Sequence, residues 1–148
     1  MSRFPIPVVL CGRTLTVGKP VSEFLRPEYE VIHFIITPEA AIADIPLLLA
    51  GRGPQTTTHE IGTRNYSQPP RGVIFGRGFS QEFVHELKET CPGQSGAREP
   101  VAWLAGDQSK IPTGIPGPGY AKGVADSVKG VLANWLENIG DEDVSLLY

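Results

Sequence analysis

The sequence predicts an α/β protein in which helical layers cover both faces of a mostly parallel sheet of about four or five strands. One observation is that short apolar runs alternate with amphipathic segments along the chain. Another is the stretch 8–37, where an apolar run, a helix-like segment and a second apolar run form a strand–helix–strand pattern. The length of 148 residues fits a single domain, 1–148, with its own core.

The composition excludes several classes of protein. The chain is 41% hydrophobic, and its formal net charge of -3 at pH 7 gives no general attraction to nucleic acid. No apolar run approaches the roughly 20 residues that a membrane span needs, and the N-terminal segment lacks the pattern of a signal peptide. The two cysteines, Cys11 and Cys91, are too few for a disulfide framework, so we expect reduced thiols and a cytoplasmic location.

The first strand–helix–strand unit begins with a continuously apolar run at residues 6–11, which predicts a strand buried on both faces. Gly12 permits a sharp turn out of this strand. Residues 31–36 predict a second buried strand, and His33 interrupts its apolar run.

Capping residues predict where three helices begin. Thr14 or Thr16 can cap the first helix, Thr37 followed by Pro38 predicts the start of the second, and Ser80 can cap the third. Such side chains accept a hydrogen bond from a backbone N–H group that the first turn leaves without a partner.

Prolines limit two of these helices. Pro20 is compatible with the first helix only in its first turn, because a proline removes a backbone donor and its ring clashes with the preceding turn. Asp44-Ile-Pro46 predicts a break or a new cap midway through the second helix.

The second half of the chain carries weaker signals. Residues 72–76 and 101–105 predict a third and a fourth strand, and residues 120–139 predict a long last helix. Its apolar stripe consists of Val124, Val128, Val131, Leu132, Trp135, Leu136 and Ile139. We interpret this stripe mainly as core packing.

Three segments have no regular pattern. Residues 51–70 and 108–119 predict long loops. The first is either disordered, a plain surface excursion or a lid that carries Arg64 and Tyr66. The acidic and then apolar tail, 141–148, is expected either to be flexible or to dock on a second copy. With the last helix, it would then form a homodimer.

Glycine and arginine recur where the predicted strands end. Ligands of open α/β sheets lie beyond the carboxyl ends of the strands, where glycine allows close approach and a helix N-terminus favours an anion. The sequence thus predicts a site for a small anionic molecule. Its candidate residues are Gly12, Arg13, Thr14, Thr16, Gly18, Thr37, Gly76, Arg77 and Gly78, with Asp107 beside them. The alternative is that these glycines serve tight turns alone.

The first of these turns resembles the NAD(P)-binding Rossmann domains, especially the Gly-x-x-Gly-x-x-Gly form of short-chain dehydrogenases. Gly12 matches the first glycine and Gly18 the third, while Leu15 replaces the middle one. The resemblance implies a three-layer Rossmann-like sandwich with NAD(P) or another nucleotide as the ligand to test. In place of the Tyr-x-x-x-Lys pair of that family, the chain has Tyr120-Ala-Lys122.

Catalysis without a cofactor is the alternative function. Cys11 beside Arg13 is a candidate nucleophile, with His33 or His59 as its base, although a small buried thiol and a core histidine explain the same residues. Asp107 is a candidate acid or base. The spacing of His, Cys and carboxylate residues indicates no metal site. A non-catalytic homodimeric interaction protein is a further alternative.

Overall fold

The computed structural model describes residues 5–26, 28–50, 52–54, 61–66, 70–76, 78–90, 101–106, 119–138 and 144–148. Strands and helices alternate in these segments. In chain order they are β1 (Ile6–Cys11), α1 (Leu15–Phe24), β2 (Tyr29–Ile35), α2 (Pro38–Leu49), β3 (Gly72–Phe75), α3 (Gln81–Thr90), β4 (Ala102–Ala105), α4 (Tyr120–Asn138) and β5 (Val144–Leu147).

The strands form a five-stranded sheet in the order β2-β1-β3-β4-β5. Every neighbouring pair in this sheet is parallel. The predicted α/β sandwich with a mostly parallel sheet is therefore confirmed. The chain runs towards one edge from β1 and towards the other from β3, so the strand order reverses between these two. Dinucleotide-binding domains of the double Rossmann type have the different order 3-2-1-4-5-6.

Side chains that alternate along the strands build a core on each face of the sheet. On one face, Leu10 and Leu104 pack with α1 and α4. On the other, Val9 and Trp103 pack with α2 and α3. The apolar stripe of α4 lies in the first of these cores as far as Leu136, which confirms its interpretation as core packing there, while Ile139 lies outside the described residues.

The predicted helix starts are confirmed at three positions. The side-chain oxygen of Thr14 accepts from the Val17 backbone N–H at 3.4 Å, and that of Thr37 accepts from Ala40 at 3.1 Å. Ser80 stands before α3 and accepts from the backbone N–H of Phe83 at 3.1 Å. Because these helices follow parallel strands, all three N-termini lie at the carboxyl edge of the sheet.

The expectations for the two prolines are wrong. Pro20 lies beyond the first turn of α1, and α2 continues without a break through Pro46. In each helix, apolar side chains after the proline are buried in a core: Val21 in α1, and Leu48 and Leu49 in α2. Burial of these side chains offsets the backbone hydrogen bond that the proline removes.

The tail also differs from its prediction. Residues 144–147 form β5, which pairs in parallel with β4 of the same chain. The Tyr148 side chain is buried, and its hydroxyl donates to the carbonyl oxygen of Phe75 at 2.8 Å. This part of the tail is therefore ordered against its own sheet rather than reserved for a second copy.

The two long loops are only partly described. Within 51–70, the segments 52–54 and 61–66 carry no helix or strand, while residues 108–118 lie outside the described part of the chain. In the described ranges no helix has both the length and the apolarity required to cross a bilayer.

Candidate functional site

The carboxyl ends of β1 and β3 meet where the strand order reverses. Cys11 pairs with Phe75 at the end of both strands, and the backbone N–H of Gly76 donates to the carbonyl oxygen of Cys11 at 2.7 Å. A Cβ atom on Gly76 would lie 3.3 Å from that oxygen, so glycine allows the two turns to approach closely. The sequence-predicted corners at Gly12 and Gly76 are thus side by side.

Arg13 extends from the first corner across the second. Its guanidinium carbon lies 5.7 Å from the centre of the Phe79 ring, within the range of a cation–π contact. A Cβ atom on Gly78 would lie 2.5 Å from Cγ of Arg13, so the absence of a side chain at Gly78 makes room for the arginine. Arg13 itself is exposed. A permanent positive charge therefore lies beside the carboxyl ends of β1 and β3, and we refer to the region outside these two strand ends as the β1–β3 crevice.

Two of the predicted backbone donors are already used by the sheet. Gly12 donates its N–H to the carbonyl oxygen of Ile35 at 2.9 Å, and Gly76 donates to Cys11. These glycines shape the crevice but do not offer their N–H groups to a ligand. The first turn of α1 leaves the backbone N–H groups of Leu15 and Thr16 without intrahelical acceptors.

Gly18 does not belong to the crevice, contrary to its prediction. It is buried in α1, and a Cβ atom there would lie 2.4 Å from Cζ of Phe34. Gly18 therefore allows α1 to pack closely on β2. This is a packing role and not contact with an anion.

The remaining predicted ligand residues are divided between the carboxyl edge and the undescribed part of the chain. Thr37 stands after β2, beside β1, where its hydroxyl caps α2. Arg77 and Asp107 lie outside the described residues, as do His59 and the side chain of Thr16.

The geometry does not favour Cys11 as a nucleophile. Its side chain is fully buried, and burial raises the pKa of its thiol far above the ordinary value. Because the thiolate is the reactive form, a thiol held neutral by burial reacts poorly. Cys11 serves as a small apolar residue of the core on the α2 side.

A buried polar cluster lies on β2 and α2. Oδ2 of Asp44 lies 3.2 Å from Nε2 of His33, and the Tyr66 hydroxyl lies 3.0 Å from Nδ1 of the same ring. Asp44 is 0% exposed and His33 is 6% exposed, whereas Tyr66 is half-buried. We refer to these three residues as the Asp44–His33–Tyr66 cluster.

An irregularity in β2 gives His33 its orientation. Val8 pairs with Val31 but Val9 pairs with His33, so the register shifts by one residue. Val31 and Phe34, three residues apart instead of two, consequently share the α1 and α4 side of the sheet. Bulges of this kind re-aim side chains, and this one turns His33 towards α2.

The segment 61–66 places Tyr66 next to His33. Its N–H groups at Thr63 and Arg64 donate to the carbonyl oxygens of Val31 and Ile32, so it covers the free edge of β2. Gly62 has a φ of 100° and Arg64 a φ of 62°, and the second value is uncommon for a residue with a side chain. The predicted lid segment is thus fixed on the sheet edge at this end.

Charges around Tyr66 act on its phenol. Partial burial raises the pKa of Tyr66, the positive charge of Arg64 lowers it, and the negative charge of Asp44 raises it. The pKa therefore lies above its ordinary value, and the phenol keeps its proton at neutral pH.

Sequence reasoning named His33 and Tyr66 separately but missed Asp44. The signals were a histidine within an apolar strand and an aspartate at helical spacing from the apolar residues Ala41, Ile45 and Leu48. Nothing in the spacing joins Asp44 to His33, because they come from different elements. Among the residues described, no group of three or more His, Cys, Asp or Glu could hold a metal ion.

Comparison with known proteins gives one informative similarity. The chain is 38% identical over 136 residues to the Kojic acid related protein 6 of Aspergillus oryzae, which covers 91% of this chain and 80% of that protein. No protein-family profile matches the chain. No solved structure matches it either.

Proposed function

The chain belongs to the family of the Kojic acid related protein 6, and we propose that it binds a small anionic molecule in the crevice between the ends of β1 and β3. The ligand class is a phosphate- or carboxylate-bearing compound. A nucleotide, including NAD(P), is the first group of ligands to test.

The observation that carries this proposal is the coincidence of the crevice with the reversal of strand order. In doubly wound sheets, ligands bind at this point, outside the carboxyl ends of the strands. Here the two glycine corners touch at that point, Arg13 lies across them, and the capped N-terminus of α1 is adjacent. An arginine and a helix N-terminus both favour a negative charge.

The order β2-β1-β3-β4-β5 supports a mononucleotide more than a dinucleotide. The departure of Leu15 from the glycine pattern agrees with this preference, because the middle glycine is what lets backbone approach a pyrophosphate. The name of the relative mentions kojic acid, which adds an uncharged, oxygen-rich compound to the ligands worth testing.

Removing the Arg13 charge is expected to weaken anion binding at least about tenfold, because a charge-assisted hydrogen bond contributes about 1.5–3 kcal/mol. Calorimetric titration of the wild type and Arg13→Ala with FMN, NADPH, inorganic phosphate and kojic acid measures this. Arg52→Ala is the matched control, since Arg52 is exposed after the end of α2, at the opposite edge of the sheet.

Two outcomes would contradict the proposal. One is the absence of binding by every phosphate compound at millimolar concentration. The other is an equal effect of Arg13→Ala and Arg52→Ala, which would show that only net charge matters.

Location and assembly are separate proposals. A free, buried Cys11 agrees with a reducing compartment, and on that basis we propose a cytoplasmic protein. A homodimer could not be formed through Val128 and Trp135 of α4 or through Tyr148 of the tail, because these side chains are buried in the core of their own chain.

A further inference from the structure

The Asp44–His33–Tyr66 cluster has the hydrogen-bond order of a proton relay. With the Asp44 carboxylate as acceptor, Nε2 of His33 carries the proton and donates to it at 3.2 Å. Nδ1 then has a free electron pair and accepts from the Tyr66 hydroxyl at 3.0 Å. This tautomer follows from the partners of the two ring nitrogens.

We propose that Tyr66 is an acid–base catalytic group, with His33 as the base that takes the phenol proton and Asp44 as the positioning residue. The arrangement follows the general logic of an activated hydroxyl, in which a base is oriented by a third group. The proposal does not depend on anion binding at the β1–β3 crevice.

The proton balance is simple. A substrate C–H or O–H acid gives its proton to the Tyr66 oxygen while the phenol proton moves to Nδ1 of His33. The substrate leaves this step as an anion, the histidine becomes an imidazolium, and the Asp44 carboxylate stabilises it. The reverse transfer returns the proton to another atom of the substrate. No oxidant, metal or cofactor takes part.

A gradient of burial distinguishes this relay from a purely structural network. Asp44 is 0% exposed and His33 6%, and Tyr66 is the member of the cluster that reaches the surface. Tyr66 is thus the residue through which a substrate would reach the cluster.

The charge beside the phenol indicates the class of substrate. Arg64 is an exposed cation two residues before Tyr66 on the segment 61–66, and it lowers the pKa of the phenol, so it also favours an anion formed there. A small enolisable carbonyl or hydroxycarbonyl compound becomes such an anion when it loses a proton. The other charged groups on β2 and α2 are Asp44 and Glu39 of α2 and Glu30 of β2, which accepts from the Thr63 hydroxyl.

Acetylation by N-acetylimidazole tests whether the phenol is activated. The phenolic oxygen attacks the acetyl carbon while His33 takes the phenol proton, and the departing imidazolide then receives this proton from His33 and leaves as imidazole. At pH 7 we expect Tyr66 to be acetylated about tenfold faster than Tyr120, which is also half-buried. Peptide mapping by mass spectrometry gives both rates in one sample.

Variants separate a proton acceptor from a structural contact. His33→Gln keeps hydrogen-bonding groups but cannot take up a proton, so Tyr66 should then react at the rate of Tyr120. Asp44→Asn should also slow the reaction. Asp126→Asn, which changes an exposed aspartate of α4, should leave the rate unchanged. Thermal unfolding shows whether each variant is folded. One folded variant, either His33→Gln or Asp44→Asn, is sufficient for the test.

The dependence of the Tyr66 acetylation rate on pH distinguishes a histidine that takes up the phenol proton from one with a purely structural role. In the wild type, the rate at Tyr66 should rise and level off at a pH well below that at which a free phenol ionises. In His33→Gln it should rise only towards the titration of the phenol itself. A rate at Tyr66 no greater than at Tyr120, or a profile that His33→Gln does not change, would overturn the proposal.

Discussion

Replacing Asp44 with alanine is expected to lower the free energy of unfolding by about 3 kcal/mol. The carboxylate is fully buried and accepts from Nε2 of His33, so its removal leaves a buried ring N–H without this acceptor and opens a small cavity. Urea unfolding, followed by the fluorescence of the buried Trp103 and Trp135, measures the change.

Asp126→Ala is the matched control for this effect. Asp126 also lies on a helix and binds a basic side chain, Lys122, at 2.9 Å, but both partners are exposed. Its removal should leave the free energy of unfolding almost unchanged. The double variant His33→Leu/Asp44→Leu should lose less free energy of unfolding than Asp44→Ala alone. The double variant removes both polar groups, whereas Asp44→Ala leaves the buried histidine without its carboxylate partner. Equal effects of the two alanine variants would contradict the buried contact.

Gly18→Ala is expected to lower the free energy of unfolding by about 2 kcal/mol, although alanine is the better helix former. The added Cβ atom would lie 2.4 Å from Cζ and 2.5 Å from Cε1 of Phe34. That ring is itself buried between α1 and the sheet, so α1 or the ring has to move. Chemical unfolding of the purified variant measures the loss.

Gly130→Ala is the control, because it should raise the free energy of unfolding where Gly18→Ala lowers it. Gly130 is exposed within α4, and a Cβ atom there meets no atom within 4 Å. Helix propensity alone should then raise the free energy of unfolding by about 1 kcal/mol. Phe34→Leu should reduce the cost of Gly18→Ala when the two are combined. If Gly18→Ala were as stabilising as Gly130→Ala, the close approach of α1 to Phe34 would be wrong.

The alternation of strands and helices could be predicted from the sequence because its signals are local. Continuous apolar runs mark β1 and β2, and the hydroxyls of Thr14, Thr37 and Ser80 mark helix starts a residue or two away. The meeting of the Gly12 and Gly76 corners followed from one further rule, that parallel strands end at the same edge of a sheet.

What could not be predicted depends on contacts between distant elements. Asp44 was interpreted as part of a helix break because Pro46 follows it two residues later. Its partner His33 lies on β2, so the sequence around Asp44 does not contain the contact that explains its burial. The register shift that turns His33 towards α2 is a property of the pairing with β1, which the sequence of β2 alone does not contain.

The packing role of Gly18 and the formation of β5 could not be predicted for the same reason, because both depend on partners elsewhere in the chain. Gly18 appeared to belong to a ligand turn because its packing partner, Phe34, is on another element. The four residues of β5 are too few to show a period, and only the exposed edge of β4 gives them a place to pair.

The most direct test of the proposed crevice is a titration followed by backbone amide signals in ¹⁵N–¹H correlation spectra. Inorganic phosphate and then FMN are added to the uniformly labelled protein. We expect saturable shifts at Arg13, Thr14, Leu15 and Gly78, and unchanged signals at Arg52, at the opposite edge of the sheet. Saturable shifts confined to other surfaces, or no saturable shift near β1 and β3 with either compound, would contradict the account.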